Sequence, residues 1–231
     1  LEWNYSFVFN ILLYVIILIP LSLYFVLCLE SQVEKKSKES NKKNIFFIWP
    51  LLIFLLALIS MANALTEGSV DAWGALYMRD FIKVDGFYIG LAALTFNIFM
   101  VLGRLTGDWV RDKIGVFALI VSLFLSTMIS LIILFNFNSI FAAIVGFSLL
   151  GIGASSIVPI AYSLAGKIDG IDSGVGITII SIAVYGTFIG APASLGYIAN
   201  NFGINNIFIP MLIVFIILII PISIYRKKFL I

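Results

Sequence analysis

Two carboxylates, Glu67 and Asp71, lie four residues apart in the stretch NALTEGSVDAWGALY, directly after a 23-residue run, 44–66, that carries no charge. On a helix, positions i and i+4 share one face and lie about 6 Å apart along the axis. Two close carboxylates in a poorly hydrated place repel each other, which favours proton exchange near neutral pH. The pair therefore suits proton-coupled transport, hydrogen bonding to sugar hydroxyls or binding of a cationic solute.

The chemistry of this pair depends on its depth in a membrane. A straight helix from Lys43 to Glu67 would run roughly 36 Å, whereas the hydrocarbon core is about 30 Å thick. Glu67 could therefore be solvated at the outer interface, with Thr66 capping a new helical turn. However, the apolar segment AWGALYM follows Asp71, and both acids lie below the boundary if it falls near Tyr77. We interpret both acids as cavity-facing, and interfacial exposure stays open as the alternative.

Polar side chains inside the other apolar runs are few. Asn97 lies near the middle of its run, where it can face a cavity or form one hydrogen bond between helices. Tyr185 is a further position that can face a cavity, with aromatic core packing as the alternative. With Glu67 and Asp71, these two residues are the predicted solute- and proton-binding positions.

The composition indicates a membrane protein without enzyme chemistry. Hydrophobic residues make up 62% of the 231 residues and charged residues 11%, whereas soluble domains are about 25% charged. There is no histidine and one cysteine, Cys28, so no nucleophile has a partner base and no ligand cluster exists for a metal. We predict no catalytic residue, no metal and no cofactor. The basic residues cluster in loops, which reflects membrane topology and not nucleic-acid binding.

Seven apolar runs are long enough to cross a bilayer. The predicted spans are 6–29, 45–66 (or 45–78), 87–108, 116–135, 140–165, 174–198 and 204–225. The long polar connection, 30–44, reads as a flexible linker. With seven spans, all but two of the 14 basic residues fall on one side, the exceptions being Arg79 and Lys83. The positive-inside rule then makes the linker and the C-terminus cytoplasmic and turns the N-terminal end outward.

The order of these parts predicts an all-α membrane protein with three regions. One helix (1–29) precedes the linker (30–44), and six helices follow (45–231). Many secondary transporters join two six-helix bundles by a central cytoplasmic linker. The chain would then hold the last helix of a first bundle and all of a second, in a twelve-helix transporter. Because it begins with Leu1 and not Met, we expect the rest of the N-terminal bundle to lie upstream.

The third span ends in GRLTGDWVRDKIG, residues 103–115, which combines glycines with charged side chains. Glycines let helices approach closely and permit a tight turn. The charged side chains, Arg104 and Arg111 among them, can form a small ion-pair network at the membrane surface. An ordinary charged loop that obeys the positive-inside rule is the alternative.

This stretch resembles the loop signature of the major facilitator superfamily, in the form found between the second and third helices of its second bundle. The departures are Trp109, where a basic residue is frequent, and Val116 and Phe117, where a basic pair is often found. The cytoplasmic gate loop implied by the resemblance comprises Gly103, Arg104, Gly107, Asp108, Asp112, Lys113 and Gly115.

Three further stretches, EGSVDAWGALYMRD, GIGASSIVPIAYSLAG and YGTFIGAPASLGYIA, resemble the fucose-permease-like branch and the uncharacterised bacterial inner-membrane transporters near it. The resemblance covers residues 6–225. It implies that the span carrying Glu67 is a gate-forming helix that lines the central cavity.

Small residues and prolines in two of these stretches predict close helix packing and kinks. Packing alone and bending during alternating access are compatible interpretations. The residues assigned to packing or kinks are Gly151, Gly153, Pro159, Gly186, Gly190 and Pro192.

The sequence thus predicts a secondary active transporter that moves a small polar solute, sugar-like or another metabolite, together with a proton by alternating access. Its partners would be the solute, H+, the lipid bilayer and the missing N-terminal bundle, and not a nucleic acid. A drug or metabolite efflux antiporter on the same fold and a non-transporting membrane scaffold stay open as alternatives.

Overall fold

The computed structural model describes residues 51–168, 172–224 and 226, and this part of the chain is helical without a strand. The predicted span 6–29 and the linker 30–44 lie outside the described residues. Two 3-10 turns, Gly86–Gly90 and Ile204–Ile207, connect the helices. The α-helices are α1 (Leu51–Asp80), α2 (Leu91–Asn136), α3 (Ile140–Ala154), α4 (Ile157–Ala165), α5 (Ser173–Phe202) and α6 (Phe208–Ile224).

Helix α2 contains 46 residues, which as a straight helix would measure roughly 69 Å, more than twice the thickness of a hydrocarbon core. Gly115 interrupts it with φ 83° and ψ 162°, outside the helical region. Glycine adopts a positive φ without the steric penalty of a side chain. Gly115 therefore divides α2 into a first arm, 91–114, and a second arm, 116–136, as the predicted loop between the third and fourth spans requires.

Five segments of the described residues are long and apolar enough to cross a membrane, and one of them, Gly86–Asn136, contains both arms of α2. Divided at Gly115, they make six spans. The predicted count of seven includes the span 6–29, which is outside this part of the chain. Two ends of the bundle follow from the connections. The Asp80 end holds the turns after α1, α2 and α5, and the Gly115 end holds the turns at Gly115 and after α4.

The span predicted at 140–165 is broken between α3 and α4 at Ser155 and Ser156. Pro159, in the first turn of α4, explains the position of the break. A proline has no N–H to donate to the carbonyl four residues earlier, and its ring clashes with that carbonyl. The carbonyl concerned belongs to Ser155, so the helix ends there and restarts with the proline in its first turn, where a missing N–H is tolerated.

Helix α3 packs against both arms of α2 through small side chains. On the second arm, the Ser130 hydroxyl donates to the Gly146 carbonyl at 2.7 Å, and the Ser126 hydroxyl donates to the Leu149 carbonyl at 2.9 Å. On the first arm, Gly151 lies so close to the Phe96 carbonyl that a methyl group would not fit. These hydrogen bonds and close backbone approaches take the place of the hydrophobic effect, which does not drive helix association inside a bilayer.

Helix α1 is the best-buried span, and it extends to Asp80, as in the longer of its two predicted versions. Tyr77 is fully buried, and its hydroxyl donates to the Leu134 carbonyl at 2.8 Å. The ring of Tyr77 therefore packs between helices near the Asp80 end of α1, and its one polar atom is satisfied there.

Helix α5 departs from the predicted packing. Gly186 and Gly190 are exposed, and a Cβ at either position would meet nothing within 4 Å. They are therefore not packing residues within the described bundle, because the face of α5 that carries these two glycines points away from it. Pro192 lies inside α5, which continues as a helix to Phe202.

Candidate functional site

Glu67 lies in the middle of α1. It is half-buried and precedes Asp80 by 13 residues, or roughly 20 Å of helix. The Thr66 hydroxyl donates to the Asn63 carbonyl at 2.7 Å inside the same helix. Thr66 therefore does not cap a new helical turn, and α1 continues through Glu67 without interruption.

Arg104 lies at a matching depth on the neighbouring span. It follows Leu91, the start of α2, by 13 residues and precedes the Gly115 turn by 11. The prediction that Arg104 belongs to a loop is therefore wrong, because the first arm continues as a helix well past it. Arg104 on α2 and Glu67 on α1 therefore lie at a similar depth and are of opposite charge type.

Arg104 also holds the break between α3 and α4. Its Nε donates to the Ser155 carbonyl at 3.1 Å, and its Nη2 lies 3.4 Å from the Met100 sulfur. The Ser155 carbonyl is the one that Pro159 cannot serve, so Arg104 supplies a donor that the helix lacks. Arg104, at the depth of Glu67, is therefore also in contact with the interrupted span.

Three residues of α1 carry buried polar atoms without a partner among the described residues. One is Trp73, through its indole N–H; the other two are Ser60, through its hydroxyl, and Asn63, through both amide atoms, in side chains at most 1% exposed. With Glu67, Ser60 and Asn63 follow the spacing i, i+3, i+7, which is one face of a helix. A buried amide that forms no hydrogen bond is destabilising and calls for a water or ligand as partner. The sequence interpretation missed Asn63, although its i, i+4 spacing to Glu67 was a usable signal.

The other predicted binding residues do not converge on this face. Asp71 is exposed. Asn97 is exposed as well, and its amide donates to the Ala93 carbonyl of its own helix at 2.8 Å. Tyr185, on α5, is 65% exposed. Within the described bundle, Glu67 alone of the four predicted positions is partly enclosed.

The loop signature forms a smaller ion-pair network than predicted. Arg111 contacts Asp108 at 3.0 Å and Asp112 at 3.5 Å. The Lys113 ammonium lies 3.7 Å from the centre of the Trp109 ring, a cation–π geometry. Trp109, which departs from the family pattern, thus contacts Lys113. Arg104 forms no ion pair within the described residues and lies outside the network.

Comparisons with known proteins show which transporters the chain is similar to. No family model matches the chain. An uncharacterised MFS-type transporter of Yersinia pestis is 31% identical over 152 residues, 66% of this chain and 39% of the relative. Membrane protein MosC of Rhizobium meliloti is 31% identical over 157 residues, 67% of this chain and 38% of the relative. The chain is thus similar to transporters of the major facilitator superfamily (MFS).

Solved structures agree on the MFS fold. The peptide transporter POT in complex with sulfate matches with a TM-score of 0.69 at 20% identity, over 80% of this chain and 39% of that one. A glutamate-to-glutamine variant of POT in complex with alafosfalin gives 0.70 at 19% identity, over 80% and 40%. At these identities the likeness is one of fold alone.

The comparisons confirm two broad predictions from the sequence, a membrane protein with several spans and a likeness to transporters. The chain is a multi-pass membrane protein, and the relatives it resembles are transporters and not enzymes. It spans about two fifths of the length of the curated relatives it matches.

Proposed function

We propose that this chain forms one wall of the solute cavity in a secondary active transporter, and that the intact protein moves a small polar solute together with a proton. The observation that carries the proposal is Glu67, half-buried in the middle of a membrane-spanning helix, with Arg104 at the same depth and the unpaired amide of Asn63 one turn away. Ionisable residues at such depth mark substrate, ion or proton pathways because their burial in lipid is unfavourable.

The exposed polar face of the first arm supports the presence of a cavity. Asn97, Arg104 and Asp108 follow the spacing i, i+7, i+11 and therefore lie on one side of α2. All three are exposed in the described bundle. A face with an arginine this far from the helix ends is unfavourable against lipid tails, so it would contact protein or a water-filled space. The N-terminal bundle of an MFS transporter, with the cavity between the two bundles, would supply both.

The proposal extends to the predicted regions of the whole chain and to their orientation in the membrane. Residues 1–29 would be the last helix of the N-terminal bundle, 30–44 the cytoplasmic linker, and 45–231 the C-terminal bundle. The Gly115 end would face the cytoplasm of a cell bounded by an inner membrane, because the basic residues collect there. Asp71 and Tyr185 would then face the water-filled space between this bundle and the N-terminal bundle.

The contacts of Arg104 suggest how a proton could be coupled to movement. An ionised Glu67 attracts the guanidinium of Arg104, and a protonated one does not. The same guanidinium donates to Ser155 at the break between α3 and α4. Protonation of Glu67 would therefore change the balance of forces on the one side chain that bridges the interrupted span, where the cavity wall bends most easily.

The proposal is tested with the full-length protein in proteoliposomes carrying an imposed pH gradient. A panel of labelled sugars, other small metabolites and lipophilic cations would first identify a transported solute by counterflow. We then expect Glu67→Gln to abolish accumulation driven by the pH gradient and to retain counterflow exchange, since the variant cannot release a proton yet keeps its shape.

The matched control is Asp85→Asn, which removes an exposed carboxylate from the turn after α1 and should leave both assays unchanged. Normal gradient-driven uptake by Glu67→Gln would refute the role of Glu67. Exchange of lipophilic cations alone would indicate the efflux antiporter, and absence of flux for every solute would favour the scaffold.

A further inference from the structure

Two adjoining cavities open at the Gly115 end, between the two arms of α2 and the helix α4. Their volumes are about 300 and 310 Å³, and they share Arg111 and Ile160 in their linings. We call the combined space the basic pocket. Its polar lining consists of Arg104, Asp108, Arg111, Ser156, Ser163 and Lys167.

Cations outnumber anions in the basic pocket. Three of its polar side chains are positive, and Asp108 is the one carboxylate among them. Asp108 already pairs with Arg111 at 3.0 Å. Within the described residues, Arg104 and Lys167 form no ion pair, so their charges are available to a ligand.

A buried hydroxyl adds a directional group. Ser156 is 7% exposed and lines the pocket next to Arg104. Its contacts to the Ser155 hydroxyl and the Gly103 carbonyl measure 3.4 and 3.5 Å. Both distances are long for hydrogen bonds between oxygen atoms, which centre near 2.8 Å. The hydroxyl can therefore turn to donate to a ligand oxygen without losing a strong partner.

We propose that the basic pocket binds a phosphate group. Guanidinium groups donate to phosphate in a planar fork and lysine adds a point charge, so the lining offers the donors that a tetrahedral oxyanion prefers. A volume of several hundred Å³ is the size of a small-molecule site. The basic pocket shares Arg104 with the region of Glu67, but the proposal does not depend on transport being coupled to protons.

Two sources could supply the phosphate. Arg111 lies four residues before the Gly115 turn, roughly 6 Å from the helix end, which is the level of lipid headgroups. A phospholipid of the adjacent leaflet and free inorganic phosphate therefore present the same chemistry. In either case the anion competes with the Ser155 carbonyl for the Arg104 guanidinium. Its binding would therefore weaken a hydrogen bond at the break between α3 and α4.

The test measures thermal unfolding of the full-length protein in delipidated detergent micelles, titrated with inorganic phosphate at constant ionic strength against chloride. A second arm compares nanodiscs of phosphatidylcholine with nanodiscs that contain phosphatidylglycerol. Native mass spectrometry of the micelles counts the phospholipids that stay bound. Ligand binding to the native state raises the unfolding temperature in a saturable way.

Lys167→Gln removes an exposed charge of the pocket, and Lys113→Gln is the matched control because Lys113 lies over Trp109 and outside the lining. We expect the Lys167 variant to weaken apparent affinity about fivefold, in line with the loss of one partly solvated charge, and the Lys113 variant to leave it unchanged. A saturable response to phosphate identifies the free ion, and a response confined to phosphatidylglycerol identifies the lipid. No response in either arm, or equal losses in both variants, overturns the proposal.

Discussion

At the scale of single residues, Asn63 stands out because it is packed like a core residue while its side chain is polar. It is 1% exposed and neither amide atom has a partner among the described residues. Natural proteins keep few such groups, since a buried unpaired polar group destabilises the fold by about 1–3 kcal/mol. Its place one turn from Glu67 gives a reason for keeping it, because a solute or a water in the cavity could supply the hydrogen bonds.

This interpretation predicts opposite effects on stability and on transport. Asn63→Leu has a similar volume and removes both unpaired atoms, so we expect it to raise the free energy of unfolding by about 1–3 kcal/mol. Transport should fall at least tenfold, because the solute or water loses its partners. Unfolding in denaturant and counterflow would measure the two effects.

Asn97→Leu provides the comparison for stability, since the Asn97 amide is exposed and already bonded to Ala93. It should change the free energy of unfolding by less than about 0.5 kcal/mol. A destabilised Asn63→Leu variant would show that the amide has a structural partner and would remove the argument for a solute contact.

At the scale of helices, the break between α3 and α4 is fixed by contacts from the first arm of α2. Arg104 bonds to Ser155, and Gly103 lies directly against the same residue. A Cβ added to Gly103 would lie 2.6 Å from the Ser155 Cβ, closer than atoms in real proteins approach. Ser155 can therefore approach α2 only because Gly103 faces it, and Gly107 plays the same part for Ser156.

Gly103→Ala should destabilise the bundle by about 1–3 kcal/mol, as overpacking of a close contact does. Gly186→Ala is the matched control, because a Cβ there meets nothing within 4 Å, and the higher helix propensity of alanine should leave it neutral or more stable by up to about 1 kcal/mol. Thermal unfolding of the full-length variants separates the two. Equal stability would mean that Ser155 moves aside at little cost.

How far the sequence predicts these elements depends on the kind of signal. Hydropathy and turn glycines placed most spans well: α5 was expected at 174–198 and extends over Ser173–Phe202, and the turn falls at Gly115. Arg104 was included in the gate loop because of the family resemblance, although the helix continues for nearly three turns beyond it. Pro159 predicted a kink, but its acceptor Ser155 and the substitute donor Arg104 meet only in the folded chain.

At the scale of the whole molecule, exposed side chains of two kinds cover the bundle. The outward face of α6 is purely aliphatic, with Ile213, Ile217 and Ile220 each at least 49% exposed. The exposed surfaces of the first arm and of α5 include Arg104 and Tyr185. Lipid tails would suit the first kind and a water-filled cavity the second. Hydropathy alone cannot separate them, because both lie in apolar helices and the difference depends on which side faces the other bundle.

Cysteine labelling of the intact transporter distinguishes these surfaces. Tyr185 and Ile217 are similarly exposed in the bundle, at 65% and 59%. After replacement of Cys28 by serine, Tyr185→Cys should react with a membrane-impermeant maleimide at least tenfold faster than Ile217→Cys, because a thiol in lipid is neither hydrated nor ionised. Added solute should slow the reaction at position 185 alone. Equal, slow labelling at both positions would place α5 against lipid, and the cavity wall would then have to be assigned to other helices.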